Sequence, residues 1–217
     1  MVGFKNGQKK NKKFKNIKLL LKISKIAGVD EVGRGCLSGP VFAAAVILND
    51  NINKTGIKDS KKISFKNRIL LAKYIKKNSI YAIGIASVNE INKINILNAS
   101  LLSMKRALEN LKIKPSIAYI DGLFIPKNLK IKCKSFVKGD EKITCIAAAS
   151  IIAKVSRDLF MYRLGKKFPR YKWGKNFGYG TYEHLHSLKK YGVTKHHRKK
   201  FGPVHNILIQ KTRETQK

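Results

Sequence analysis

Asp30 and Glu31 stand side by side at the end of one apolar run, and Asp121 closes another. Asp158 falls on the core-facing stripe of a long helical pattern, three residues after Val155 and seven after Ile151. A carboxylate buried in such a place without a partner costs several kcal/mol or takes up a proton. Four of them ask for cations. A pair of divalent metal ions meets that demand economically, and oxygen donors suit Mg2+ or Mn2+, with no Cys/His cluster to compete for a softer metal. Lysines are the other solution. Lys154 is one turn from Asp158, and a buried ion-pair network would account for the acids without metal.

The rest of the twelve acids have ordinary explanations. Asp50 and Asp59 lie in a polar loop, and Asp140 and Glu141 sit beside Gly139 in a turn. Glu90 and Glu183 fall in first turns of helices, where negative charge suits the helix dipole. Glu109 is close to a helix end and Glu214 is in the tail. One geometric condition applies to the adjacent pair. Consecutive strand residues point to opposite faces, so Asp30 and Glu31 share a metal only if the strand ends or bulges there. Gly33, Arg34 and Gly35, which follow, make such a break easy.

The elements that must position these residues follow from periodicity and turn signals. Residues 23–29 read as a strand, and 41–48 as a second one after Gly39 and Pro40, which makes a hairpin. Residues 49–62 are a polar loop, and Ser64 caps a helix reaching about Lys77. A strand is expected over 80–86, a helix from Asn95 or Ile96 to Leu111, and strands over 117–120 and 130–137. The longest helical pattern spans 143–167, closed near Pro169, and a shorter one spans 181–191, stopped by Gly192. Beyond Phe201 no periodicity is clear. Strands early and helices late predict an α/β chain with a mixed sheet and helices packed on it. Residues 1–22, with eight lysines and no acid, read as a basic, flexible extension ahead of one catalytic domain over 23–217.

Charge bounds the partners. With 47 Lys+Arg against 12 Asp+Glu the chain is formally +35, which draws it to phosphate backbones by counterion release. Part of the excess is a compositional bias toward Lys, Asn and Ile. The longest apolar runs, 41–48 and 145–153, are far shorter than a membrane span, and the polar start has no secretory pattern. Three cysteines, Cys36, Cys133 and Cys145, are widely spaced with no CxxC pair. A cytoplasmic, monomeric protein without membrane contact is the expectation. His184 and His186, two apart on a helix, are poorly placed to share a metal.

Several segments together resemble the ribonuclease HII family. They are GVDEVGRGCLSGPV at 28–41, DSKKIS at 59–64, IDG at 120–122, KGD at 138–140 and AAASIIAKVSRD at 147–158. GYGT at 178–181, EHL at 183–185 and HRKKF at 197–201 complete a series that runs in order from about Ile26 to Val204. The resemblance implies an RNase H-like fold, a five-stranded mixed sheet flanked by helices with a helical C-terminal part. It implies hydrolysis of the RNA strand of RNA·DNA hybrids and nicking 5′ to single ribonucleotides in duplex DNA, leaving 5′-phosphate and 3′-hydroxyl ends. Position by position it makes Asp30, Glu31, Asp121 and Asp158 the catalytic ligands of two divalent cations, Mg2+ or Mn2+. Set ~4 Å apart, such ions stabilise the attacking and leaving oxygens of an in-line displacement.

The same resemblance makes Gly33, Arg34 and Gly35 a ribose-sensing loop whose backbone reaches the 2′-hydroxyl. It makes Tyr179 the reader of the ribo-to-deoxy junction, and Lys61, Thr181 and Arg198 phosphate contacts. Cys36 and Lys200 depart from the pattern. Asp158, where glutamate would mark the HIII type, and the short lead segment point away from HIII. A basic nucleic-acid-binding protein that cuts nothing is the competing reading, and a nuclease of the same fold acting on all-DNA duplex is a third. Cleavage of a DNA duplex carrying one ribonucleotide separates them.

Overall fold

The computed structural model describes residues 26–57 and 64–215. Lys61 and Asp59, and the boundary expected at residue 22, lie outside the described residues. Five strands, β1 (Ile26–Val32), β2 (Val41–Leu48), β3 (Ser79–Ala86), β4 (Ile117–Asp121) and β5 (Lys132–Phe136), form one sheet in the order β3-β2-β1-β4-β5. The first three pair antiparallel, while β1, β4 and β5 run parallel. The mixed five-stranded sheet is as the sequence predicts.

Every residue of β2 is buried. A strand whose alternate side chains all avoid water needs cover on both faces, and the core divides accordingly. Ala44, Val46 and Leu48 join Ile75 of α1 (Phe65–Lys77) and the Ala147–Ile152 stretch of α4 (Thr144–Lys167). Ala43, Ala45 and Ile47 join Met104, Ala107 and Leu108 of α2 (Val88–Glu109) on the other side. The small residues let the helices come close. A Cβ on Gly28 would collide with the Cys145 carbonyl at the start of α4, so α4 lies directly on β1.

Four differences from the sequence reading have physical causes. The first strand does not end at Val29. It continues through Val32, because β2 keeps pairing with it: Asp30 faces Ala44, Glu31 faces Ala43 and Val32 faces Phe42. Second, the helix expected from residue 95 begins at Val88, where Ser87 and Glu90 form a reciprocal capping box, and Asn95 (φ 66°) interrupts it. Third, 202–215 is helical after all as α7 (Gly202–Thr215), with Pro203 in the first turn and an apolar side of Val204, Ile207 and Leu208. Fourth, Pro169–Tyr171 and α5 (Trp173–Asn176) make a compact aromatic turn in which the Tyr171 and Trp173 rings stack at 4.9 Å. The short helix α3 (Gly139–Lys142) and α6 (Tyr182–Tyr191) complete the described helices.

Candidate active site

Strand register creates the acidic centre. The parallel pairing of β1 with β4 reaches Val29 and Ile120, so the next residues on the two strands, Asp30 and Asp121, sit beside one another where the pairing stops. Asp30 is only 5% exposed, and Ser150 of α4 hydrogen-bonds its carboxyl. The Glu31 amide donates to Asp30 Oδ1 at 2.7 Å. Asp121 Oδ1 accepts from the Gly139 amide at 2.7 Å, at the start of α3.

Burial pushes the Asp30 carboxyl well above the usual carboxylate range, and the charges of Glu31 and Asp121 push it further. Glu31 is raised too, chiefly by burial, against the opposing pull of Arg34. Arg34 Nη1 donates to Glu31 Oε1 at 3.3 Å. Asp30 therefore feels the charges of both Glu31 and Asp121, even though the strand neither ends nor bulges at Glu31.

Asp158 lies further along α4, 1% exposed, with Lys154 Nζ at 2.9 Å from its Oδ1. Its negative charge is felt by the Tyr179 hydroxyl, as are Cys36 and Arg157, and burial first of all raises that hydroxyl's pKa. Tyr179 is 38% exposed, with Lys154 Nζ 5.5 Å and the Arg157 guanidinium carbon 5.9 Å from its ring centre. Among the described residues no group of three or more His, Cys, Asp and Glu side chains is arranged as a ready-made metal cage. Two of the four carboxylates carry a cation of the protein itself. Arg34 draws on Glu31, and Lys154 draws on Asp158.

Gly33 (φ +97°) holds a backbone conformation that favours glycine, and a Cβ there would strike the Arg157 guanidinium. Gly35 faces open space and Arg34 is exposed, so this corner offers backbone to a ligand. Two buried arginines build it from beneath. Arg157 donates to the carbonyls of Pro40 (3.0 Å), Phe177 (2.9 Å) and Ser38 (3.1 Å). Arg198 donates to those of Gly39 (3.0 Å), Arg34 (2.8 Å) and Gly33 (2.7 Å). Expected as a phosphate contact, Arg198 is instead wholly buried beneath the loop, and burial lowers its pKa to about 10. Thr181 is exposed and caps α6, its hydroxyl accepting from the His184 amide at 3.4 Å.

His184, set aside in the sequence as a metal ligand, supports Tyr179. Its Nδ1 lies 2.8 Å from the Tyr179 carbonyl, which can only accept, so Nδ1 carries the proton. Its Nε2 then accepts from Trp173 Nε1 at 3.0 Å and faces His197 Nε2 at 3.2 Å. His197 Nδ1 accepts from the Thr194 amide at 3.0 Å, and burial with two nearby histidines lowers its pKa to about 3. Both rings stay neutral. The Arg157 and Arg198 roles were visible only as motif letters, since nothing in an arginine's spacing says that it will be buried against carbonyls.

Residues 27–204 match the family model for ribonuclease HII. The chain belongs to the ribonuclease HII family. Its sequence is 59% identical over 183 residues to the ribonuclease HII of Pelagibacter ubique, covering 84% of this chain and 98% of that protein. The ribonuclease HII of Neisseria meningitidis serogroup B is 49% identical, covering 85% and 95%. Among solved structures, the ribonuclease H2 of Pyrococcus horikoshii aligns with a TM-score of 0.74 at 26% identity, over 85% of this chain and 97% of that one. Ribonuclease HII enzymes are endonucleases that hydrolyse the RNA of RNA·DNA hybrids, and the RNase H-like sheet with its helices is shared.

Proposed function

We propose that this family member cuts RNA·DNA hybrids and nicks 5′ to single ribonucleotides in duplex DNA, with Asp30, Glu31, Asp121 and Asp158 as its divalent-cation ligands. The observation that carries the assignment is the meeting of the buried Asp30 with Glu31 and Asp121, whose charges add to burial in raising the Asp30 carboxyl. Carboxylates that repel each other inside a protein are matched to a cation, and an all-oxygen donor set fits Mg2+ or Mn2+. Such ions, when bound, supply activation of the attacking water and neutralise charge on the leaving 3′-oxygen.

The chain's own residues do the rest. Gly139 fixes the rotamer of Asp121 by donating to Oδ1. Ser150 orients Asp30. The Gly33–Gly35 corner, held by Arg198 and packed on Arg157, offers backbone groups to a ribose 2′-hydroxyl. Tyr179 packs on the neighbouring sugar, where a flat ring accepts deoxyribose and disfavours an added hydroxyl. Lys61 and Thr181 contact phosphate, and the net charge of +35 gathers the duplex. Asp30 and Asp121 have no lysine or arginine ion partner among the described residues, which favours a nuclease over a non-cutting binder whose acids are all locked in ion pairs.

The test is a panel of a long RNA·DNA hybrid, a DNA duplex with one ribonucleotide and an all-DNA duplex, each with Mg2+ and with Mn2+. Cutting of the first two and not the third is expected. No cutting with either ion rejects the enzyme, and equal cutting of all three rejects the ribose requirement.

A further inference from the structure

Lys154 occupies a position that neither the sheet nor the loop requires. It sits on α4 one turn from Ser150 and one turn from Asp158, so Ser150, Lys154 and Asp158 follow one another along the helix. Its Nζ is 2.9 Å from Asp158 Oδ1. The same ammonium lies 5.3 Å from the Phe177 ring centre and 5.5 Å from that of Tyr179. The Asp158 side chain is 2% exposed and that of Lys154 27%. Arg157, the neighbouring cation, has its Nε, Nη1 and Nη2 engaged with backbone carbonyls. Lys154 is thus the cation that the structure sets on Asp158, and it is held from above by two aromatic faces.

We infer that Lys154 is an internal counter-ion that a divalent metal ion must displace from Asp158, and that its displacement is felt by the Tyr179 ring. The inference rests on Asp158 being a metal ligand. An ammonium and a divalent ion cannot share one carboxylate oxygen without strong mutual repulsion, so each weakens the other's hold. In the metal-free protein Lys154 compensates a buried charge that would otherwise stand alone. Once a cation arrives, the ammonium moves off Oδ1 and remains tethered to α4 beside Phe177 and Tyr179. Lys154 is a positioning residue in this scheme: it sets how readily the site fills and ties filling to the aromatic platform.

The experiment is a Mn2+ titration of the full-length chain followed by calorimetry, with melting temperature recorded with and without Mn2+. Lys154→Met should bind Mn2+ more tightly, on the order of tenfold, the ordinary scale of coupling between two ligands of one group. It should melt lower than the parent without metal and gain more on adding Mn2+. Lys154→Arg keeps the charge and should return both readings towards the parent, which a loss of packing alone would not explain. If Lys154→Met proves too unstable without metal for calorimetry, the gain in melting temperature with Mn2+ gives the same comparison. Unchanged or weaker Mn2+ binding by Lys154→Met, with Asp158→Asn weakening it, overturns the inference and leaves the metal site standing. Mn2+ binding that is indifferent to Asp158→Asn overturns the assignment of Asp158, and the inference with it.

Discussion

Asp30 and Asp121 sit next to each other but are held differently, and this sets what each substitution tests. Asp121 Oδ1 accepts from the Gly139 amide, and an asparagine keeps that acceptor while losing the charge. Asp121→Asn is therefore expected to fold, to bind duplex through the basic surface, and to lose more than the ~100-fold in cleavage that outer-shell changes at metal sites cost. Cleavage and filter-binding assays on one preparation decide it, and loss of both together makes Asp121 structural. Tyr179 is a different case, since its ring is exposed while its carbonyl is anchored by His184. Tyr179→Ala should lower cutting at a single embedded ribonucleotide by a larger factor than cutting of a long hybrid. Equal factors would reject a junction role. Of these residues the acids were legible from the sequence, because burial of a charge is anomalous at once. His184 and Arg198 were not, because their roles depend on which carbonyls the fold brings to them.

Elements show the same division. The strands and the long helices could be read because each carries an apolar pattern of one period. The extra length of β1 could not, because it is owed to β2 pairing beyond Val29 rather than to Asp30 or Glu31. The turn at Tyr171 and Trp173 has no period at all and is held by ring stacking and buried hydrogen bonds. Gly28 tests a close approach of helix to sheet. Gly28→Ala places a methyl against the Cys145 carbonyl, and prising α4 from β1 should cost about 1–3 kcal/mol or more, the usual scale for overpacking. A fall in the urea midpoint with a parallel loss of activity is expected, since Ser150 on α4 orients Asp30. An unchanged midpoint would mean that the helix relaxes freely.

The whole molecule carries its charge with two consequences. Folded His197 has its pKa lowered from 6.5 to about 3 by burial, while the unfolded chain takes up that proton near 6.5. Stability from this residue is complete above about pH 6.5 and is lost as pH falls towards 3. Glu90, lowered from 4.5 to about 2 chiefly by its hydrogen bond to Arg106, adds a loss below 4.5. Urea midpoints measured downward from neutrality should therefore decline first between about pH 6.5 and 4.5, and His197→Gln should flatten that first decline. Because the raised Asp30 and Glu31 carboxyls act in the opposite sense, a pH dependence left unchanged by His197→Gln is the result that would contradict the buried neutral ring. At the other terminus, removing residues 1–22 deletes eight lysines and no acid. The mutant should bind all-DNA duplex more weakly and with a shallower salt dependence, yet cleave at saturating substrate as the full chain does. A salt slope unchanged by the deletion would show that those lysines do not touch the duplex.

The clamp of Arg198 on Gly33 joins residues 165 positions apart in the chain. Synthesis is directional, so a growing chain has β1, its acids and most of the sheet long before it has Arg198. Until that residue leaves the ribosome, the Gly33 and Arg34 carbonyls lack the guanidinium that bonds them, and a product broken off before it would carry the carboxylates without that clamp. If the corner reads the sugar as proposed, selectivity is in this sense the last property the molecule acquires. On that proposal, premature termination short of Arg198 would remove the clamp on the corner while leaving Asp30, Glu31, Asp121 and Asp158 in the chain.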